Sequence, residues 1–285
     1  MPPHTQTWKD RALSRPEPRR LSRVPLVTAF LAVLFLVTAC SGGNGSQKEL
    51  LVFAASSLTD AMTGIAAAFE AANDGAKVSL NFASSSALAT QIVEGAPAAV
   101  FASANEAQMQ RVMETGLAGE ARIFATNRLV VVVPASGSPV RSFADLARPG
   151  IKLVLAAREV PVGAYSRQFI ASYDETNQGY RDAALANVVS EEPNVRAVLA
   201  KVQLGEADAG IVYETDVAVA QADVQTFSIP DEFNVIASYP IAALVDAEQG
   251  GLASRFVDFV LGAEGQTVLS SYGFGPPPGQ QQRAP

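Results

Sequence analysis

The sequence predicts an α/β protein of two lobes, built on mainly parallel sheets, with two segments that cross between the lobes. Three observations lead to this fold class. Short apolar runs alternate with amphipathic helical segments, which is typical of parallel sheets covered by helices. Two longer extended runs, residues 129–134 and 238–245, can carry the chain from one lobe to the other and back. The length of 285 residues exceeds what one minimal core needs.

Three strand–turn–helix units make up the start of the predicted first lobe. Their strands are the apolar run 50–53, the alternating segment 78–82 and the apolar run 98–101. Each strand is followed by a segment with apolar residues at helical spacing, and a glycine lies near the end of each of these helices. Because parallel strands end at one edge of a sheet, we expect the three turns to lie close together.

A second series of strands and helices follows the first long extended run. We expect strands at residues 151–155 and 209–213, and helices that begin at residues 160–164 and over 195–204. These elements define the domain boundaries. The predicted domains are a leader of residues 1–39, a tether of residues 40–48, a first lobe of residues 49–131 and 240–274, a second lobe of residues 132–239 and a loose tail of residues 275–285.

The first 39 residues are typical of an export signal. A basic stretch precedes the charge-free apolar run 24–39, which is short for a membrane span and suits the core of a signal peptide. The run ends in Val37-Thr38-Ala39-Cys40, which resembles the lipobox of bacterial lipoproteins. The resemblance implies cleavage before Cys40, a lipid on its thiol and an extracytoplasmic protein anchored to the cell membrane. The alternative is a short uncleaved anchor.

Removal of this leader limits the chemistry of the remaining chain. Cys40 is the only cysteine, and the only histidine and tryptophan, His4 and Trp8, lie in the leader. The mature chain therefore offers no histidine or free thiol for catalysis or soft-metal binding, and no disulfide can form within it. The leader carries a net charge of +4 within a total of −7, so the remainder carries −11. Such an acidic body argues against nucleic-acid binding.

Serines occur at two of the predicted strand-to-helix turns. Ser84, Ser85 and Ser86 follow the second strand, and Ser56 and Ser57 follow the first. The first N–H groups of a helix have no partner within it, and the helix dipole favours negative charge there, so such turns hold anions readily. The alternative is that these serines only cap their helices. Two such turns at one sheet edge favour an anion site.

The chain resembles the periplasmic molybdate-binding proteins of ABC importers, which have the type II periplasmic-binding-protein fold. The resemblance extends over about residues 49–274, and the order and spacing of its motifs are more specific than any single one. The matching stretches are residues 52–62, 82–86, 91–92, 95–98, 160–163, 194–196, 210–213 and 272–274.

This resemblance implies that a tetrahedral dianion, molybdate or tungstate, binds in a cleft between the lobes without a further cofactor. Ser57 and Ser85 would donate from their hydroxyl and N–H groups, Val162 and Val195 from their N–H groups, and Tyr213 from its phenol. Ser56, Ser84 and Ser86 would cap helices or line the turns. The resemblance also implies an ABC permease and its ATPase as partners. We expect the protein to be a monomer. We also expect that it is not an enzyme, since no nucleophile–base or phosphate-loop motif is present.

Hydroxyl and N–H donors suit an ion whose oxygens only accept hydrogen bonds. The same donors suit sulfate or phosphate, so another tetrahedral oxyanion remains the alternative ligand. Arg196 follows Val195, but we expect it to be solvated or salt-bridged rather than bound to the anion. The chain departs from the family pattern at Ala99 and at Ala156-Ala157, in supporting loops, and at Val162, where the bulk narrows the pocket.

Overall fold

The computed structural model describes residues 48–279 except residues 219, 221, 246 and 249. Contacts divide the chain into Met1–Gly43 and Asn44–Pro285, and every described residue lies in the second of these units. The predicted signal peptide, Cys40 and residues 40–47 of the tether lie outside the described residues, as do residues 280–285 of the predicted tail. Within the described residues, no helix has the length and apolar character needed to cross a membrane.

The first lobe is a five-stranded sheet with helices packed against it. The elements of this lobe are β1 (Lys48–Ala55), α1 (Thr59–Ala72), β2 (Ala76–Ala83), α2 (Ser85–Val93), β3 (Val100–Ala102), α3 (Glu106–Met113), β4 (Arg122–Asn127), β10 (Ala237–Ala243), α8 (Gly250–Leu261) and α9 (Ala263–Ser271). The strand order is β2-β1-β3-β10-β4, and β10 alone runs antiparallel to its neighbours.

The second lobe repeats this plan. Its strand order is β7-β6-β8-β5-β9, and β5 is the strand that runs against its neighbours. The elements of this lobe are β5 (Leu129–Pro134), β6 (Leu153–Ala156), α4 (Pro161–Asp174), α5 (Tyr180–Ala186), β7 (Val188–Glu192), α6 (Val195–Gln203), β8 (Ala209–Tyr213), α7 (Glu214–Ala218) and β9 (Val224–Ser228). The predicted α/β fold of two lobes is confirmed, and each sheet is mixed rather than purely parallel.

The two crossings lie a few residues before the predicted ones. β4 ends at Asn127 in the first sheet and β5 begins at Leu129 in the second, so the chain crosses at Arg128 instead of between residues 131 and 132. The return lies between β9 and β10, before the predicted boundary at residues 239 and 240. The reason is that each long apolar run is a single strand of one sheet. Residues 129–133 are all at most 6% exposed, as a central strand requires.

The chain remains packed beyond the predicted start of the tail. Gly275 and Thr126 exchange two backbone hydrogen bonds, of 2.9 and 3.0 Å, and the Thr126 hydroxyl donates to the Pro276 carbonyl. A Cβ atom on Gly275 would lie 2.4 Å from Thr126 Oγ1, so glycine permits this approach. Pro277 is buried. The free edge of β4 is thus occupied by this segment, and residues 275–277 are packed instead of forming part of the predicted loose tail.

Candidate functional site

The first turn places Ser57 at the end of β1. A single 3-10 turn, Ser56–Leu58, leads from this strand into α1, and Ser57 is 4% exposed. Its Oγ lies 3.1 Å from the phenol oxygen of Tyr239, a residue of the strand β10. That phenol oxygen also accepts a 3.4 Å hydrogen bond from Asn127 Nδ2. With Tyr239 donating its proton to Ser57, the Ser57 hydroxyl proton is left for another acceptor.

The second turn gives its three serines different roles. Ser84 caps α2, because its Oγ accepts a 3.3 Å hydrogen bond from the Ala87 N–H. Ser85, 1% exposed, accepts a 2.9 Å bond from the Ala104 N–H in the loop after β3, which leaves its own proton to donate. The Ser86 hydroxyl lies 3.1 Å from Ser84 Oγ. Of the three hydroxyls, that of Ser85 is therefore the one best placed to donate to a ligand.

In the second lobe, the start of α4 supplies backbone donors. The first hydrogen bond of this helix runs from the Ala164 N–H to the Val160 carbonyl, so the N–H of the buried Val162 has no partner within the helix. A Cβ atom on Gly163 would lie 2.0 Å from the Ala157 carbonyl oxygen. Glycine at this position lets the start of α4 pack directly on the end of β6.

The start of α6 offers the same kind of group. Asn194 caps it by accepting a 3.0 Å hydrogen bond from the Ala197 N–H. The first backbone hydrogen bond of α6 runs from the Val198 N–H to the carbonyl of the cap residue, Asn194. The N–H of Val195, the first residue of α6, has no partner within the helix, and its side chain is 3% exposed.

Tyr213 ends β8 and brings a phenol to the same region. It is 1% exposed, and its Oη has no hydrogen-bond partner among the described residues. Burial raises the pKa of the phenol well above its usual value, with a further contribution from Tyr239, so the group stays a neutral donor. A buried hydroxyl without a partner costs about 1–3 kcal/mol. Such an orphan indicates a place for an acceptor that a ligand brings.

These turns and the phenol meet at one cavity between the lobes. Its volume is about 10 Å³, roughly the room that one water molecule needs, so a larger ion enters only if the lobes separate. The residues that line it share one property, the absence of a charged side chain: Ala55, Ser56, Ser57, Ser84, Ser85, Ala104, Val160, Pro161, Val162, Val195 and Tyr213. All five predicted donor residues are in this set. Of the three less certain serines, Ser56 and Ser84 line the cavity and Ser86 does not.

The field in the cavity comes from backbone groups. The chain enters a helix at four of its walls: before α1, and at the starts of α2, α4 and α6. Each helix start carries a partial positive charge and N–H groups without partners, so the four together favour an anion. The charged cluster of Asp60, Arg196 and Asp216 does not line the cavity.

Arg196 lies at ion-pair distance from both Asp60 and Asp216, in line with the expectation of a solvated or salt-bridged arginine. Its Nε lies 3.1 Å from Asp216 Oδ1 and a terminal nitrogen lies 2.5 Å from Asp60 Oδ2. Burial raises the pKa of Asp216 to about 6, against the opposing effect of the Arg196 charge.

Sequence reasoning did not find the residues that orient the serine hydroxyls. Tyr239 and Asn127 lie 182 and 112 residues from their partners in the Ser57–Tyr239–Asn127 chain, and Ala104 acts on Ser85 through its backbone alone. No local pattern marks such contacts. The one available signal was the position of Tyr239 in the long run that was predicted to return the chain to the first lobe.

Known proteins resemble this chain over most of its length. A family model described as "Bacterial extracellular solute-binding protein" matches residues 50–275. The Mycobacterium tuberculosis "Molybdate-binding protein ModA" is 42% identical over 240 residues, 83% of this chain and 88% of that protein. The periplasmic molybdate-binding protein of Azotobacter vinelandii superimposes with a TM-score of 0.70 at 22% identity, over 80% of this chain and 99% of that one.

A second solved structure has a similar score and a different named ligand. The sulfate-binding protein SubI of M. tuberculosis superimposes with a TM-score of 0.72 at 20% identity, over 80% of this chain and 87% of that one. At such low identity, both structural matches establish the fold alone. The fold therefore does not distinguish between oxyanions.

Proposed function

The chain belongs to the family of bacterial extracellular solute-binding proteins, and from this premise we propose that it captures molybdate in the cavity between its lobes. Membership of a solute-binding family agrees with the prediction that it is not an enzyme. The observation that carries the proposal is the meeting of neutral donors at one buried cavity. The donors are the hydroxyls of Ser57 and Ser85, the N–H groups of Val162 and Val195, and the unpartnered phenol of Tyr213.

The chemistry of these groups suits a fully ionised tetrahedral dianion. Its oxygens only accept hydrogen bonds, and the cavity supplies donors that bring no buried positive charge. Each hydrogen bond to an ionised acceptor contributes about 1.5–3 kcal/mol, so several together offset much of the desolvation cost. Tungstate has the same charge and shape, and we propose that it binds in the same way. The choice of molybdate over sulfate is supported by the 42% identical molybdate-binding relative.

We propose that the leader exports the protein, so that molybdate is bound outside the cytoplasm. Cys40 carries the lipid, the polar residues after it hold the binding domain off the cell membrane, and the monomer delivers the anion to an ABC permease and its ATPase. Mass spectrometry of the N-terminal peptide from the membrane fraction tests the anchor. An acylated Cys40 is expected, whereas a chain that still begins at Met1 would contradict cleavage.

Isothermal titration tests the ligand. Residues 41–285, which contain the whole compact unit, are titrated with molybdate, tungstate, sulfate and phosphate. We expect one molybdate or tungstate per chain and an affinity for sulfate and phosphate at least about 100-fold lower, a difference of about 2.7 kcal/mol. Equal affinity for sulfate would reassign the ligand, and the absence of heat with all four anions would overturn the site.

A further inference from the structure

A charged contact joins the two lobes beside the cavity. Asp60 lies in the first turn of α1, in the first lobe, three residues after Ser57. Arg196 lies in the first turn of α6, in the second lobe, directly after Val195. The guanidinium of Arg196 lies 2.5 Å from Asp60 Oδ2. The pair therefore links the two helices whose starts bring Ser57 and Val195 to the cavity.

The position of Arg196 is fixed from within its own lobe. Its Nε faces Asp216 Oδ1 at 3.1 Å, and Asp216 is fully buried. The other carboxylate oxygen of Asp216 accepts a 3.3 Å hydrogen bond from the Tyr213 N–H at the end of β8. Asp216 thus lies at ion-pair distance from Nε without an aligned hydrogen bond, and the neighbouring terminal nitrogen of the same guanidinium donates to Asp60. A side chain that is already ordered loses less entropy when it pairs.

The environment of the pair makes it stronger than an ordinary surface ion pair. The side chains of Arg196 and Asp60 are 28% and 37% exposed. By contrast, those of the Arg122–Asp258 pair, which has the same 2.5 Å length within the first lobe, are 46% and 66% exposed. Solvent and salt screen a partly buried pair less.

A second side-chain contact crosses between the lobes, from Gln108 Nε2 to the Glu159 carbonyl at 3.3 Å, but it is neutral and long. The charged pair is thus the stronger of these two links between the lobes.

We propose that Arg196 and Asp60 form a closure latch that holds the lobes together over a bound anion and slows its release. Neither residue lines the cavity, so both act as positioning residues and not as ligands. The latch forms only when α1 and α6 approach each other, and opening the cleft must break it. The rate of release depends on this step, whereas entry into the open cleft does not. The inference rests on the proposed function only in taking an oxyanion as the ligand.

Stopped-flow tyrosine fluorescence of residues 41–285 with molybdate tests the latch, with Asp60→Asn as the variant. We expect the dissociation rate to rise about three- to tenfold and the association rate to change less than about twofold. In the unmodified protein the dissociation rate should rise with sodium chloride, and in the variant this dependence should be lost. Asp60→Glu, which keeps the charge, should restore most of the slow release.

The matched control is Asp258→Asn, which removes the equally short Arg–Asp pair inside the first lobe. It should leave both rates unchanged. An unchanged dissociation rate in Asp60→Asn, or an equal rise in Asp258→Asn, would overturn the latch.

The equilibrium titration separates this inference from the proposed function. If molybdate binds and Asp60→Asn leaves the dissociation rate unchanged, the latch alone is overturned. If molybdate does not bind the unmodified protein, the proposed function is overturned.

Discussion

The first and second lobes share one sheet order, with a single reversed strand in the same place, yet they bring different chemical groups to the cavity. The first lobe contributes the hydroxyls of Ser57 and Ser85, each of which is oriented by a hydrogen bond from elsewhere in that lobe. The second lobe contributes backbone N–H groups at Val162 and Val195 and the unpartnered phenol of Tyr213.

This difference determines how each lobe responds to mutation. A hydroxyl donor is lost when its residue type changes, whereas a backbone donor survives most side-chain replacements. What the second lobe requires is a helix start in the right place, which Gly163 and the Asn194 cap provide. The comparison predicts that affinity follows residue identity in the first lobe and backbone chemistry in the second.

The largest effect should come from removing both hydroxyls of the first lobe. At about 1.5–3 kcal/mol for each bond to an ionised oxygen, Ser57→Ala with Ser85→Ala should weaken molybdate binding by roughly two to four orders of magnitude. The change also leaves the Ala104 N–H buried without its acceptor, so the ligand-free protein should unfold at a lower temperature. Calorimetric titration and thermal unfolding measure the two effects.

Ser84→Ala is the matched control in the same turn. Ser84 caps α2, so its loss should cost about 1 kcal/mol of stability and change the affinity only a few-fold. A larger loss of affinity in Ser84→Ala than in Ser85→Ala would show that we have chosen the wrong serine as the donor.

In the second lobe, the sharper test removes a backbone donor without changing the helix. Proline is tolerated at the first position of a helix, and the extended backbone of Asn194 (φ −162°, ψ 171°) accepts a following proline. Val195→Pro should therefore keep α6 and lose one N–H, which weakens molybdate binding by about 1.5–3 kcal/mol, or roughly 10- to 150-fold. Val195→Ala keeps the N–H and should bind within about threefold of the unmodified protein. Equal affinities for the two variants would remove Val195 from the set of donors.

How much of this could be predicted from the sequence also differs between regions. Strands with continuous or alternating apolar residues, such as β1, β2 and β5, were predicted directly. The strands β4, β7 and β9 were not, and all three lie at sheet edges, where apolar buried positions are fewer. In β4 two of the buried residues, Thr126 and Asn127, are polar. β9, for example, has one buried residue in five.

Predictions for the site divide along the same lines. The serines stand out because their side chains carry the chemistry, and Ser57 and Ser85 both line the cavity, whereas Ser86 does not. Val162 and Val195 are assigned as donors through their backbone N–H groups, which the residue type does not reveal. Their assignment therefore depended on the family resemblance. The hydrogen bond between Ser57 and Tyr239, 182 residues apart, was not predicted because no local pattern encodes such a contact.

The smallest expected effect on molybdate affinity is at Tyr213. Here the two lobes should differ in the sign of the change in ligand-free stability on loss of a hydroxyl. Its hydroxyl is buried without a partner among the described residues, so Tyr213→Phe removes a cost from the ligand-free protein. We expect molybdate affinity to fall about tenfold, or about 1.4 kcal/mol, while the ligand-free protein gains about 1 kcal/mol of stability. Ser85→Ala, by contrast, should lower both quantities, because its oxygen already accepts a hydrogen bond. Thermal unfolding with and without molybdate measures both. A Tyr213→Phe protein that is less stable without ligand would mean that the phenol already has an acceptor in the free state.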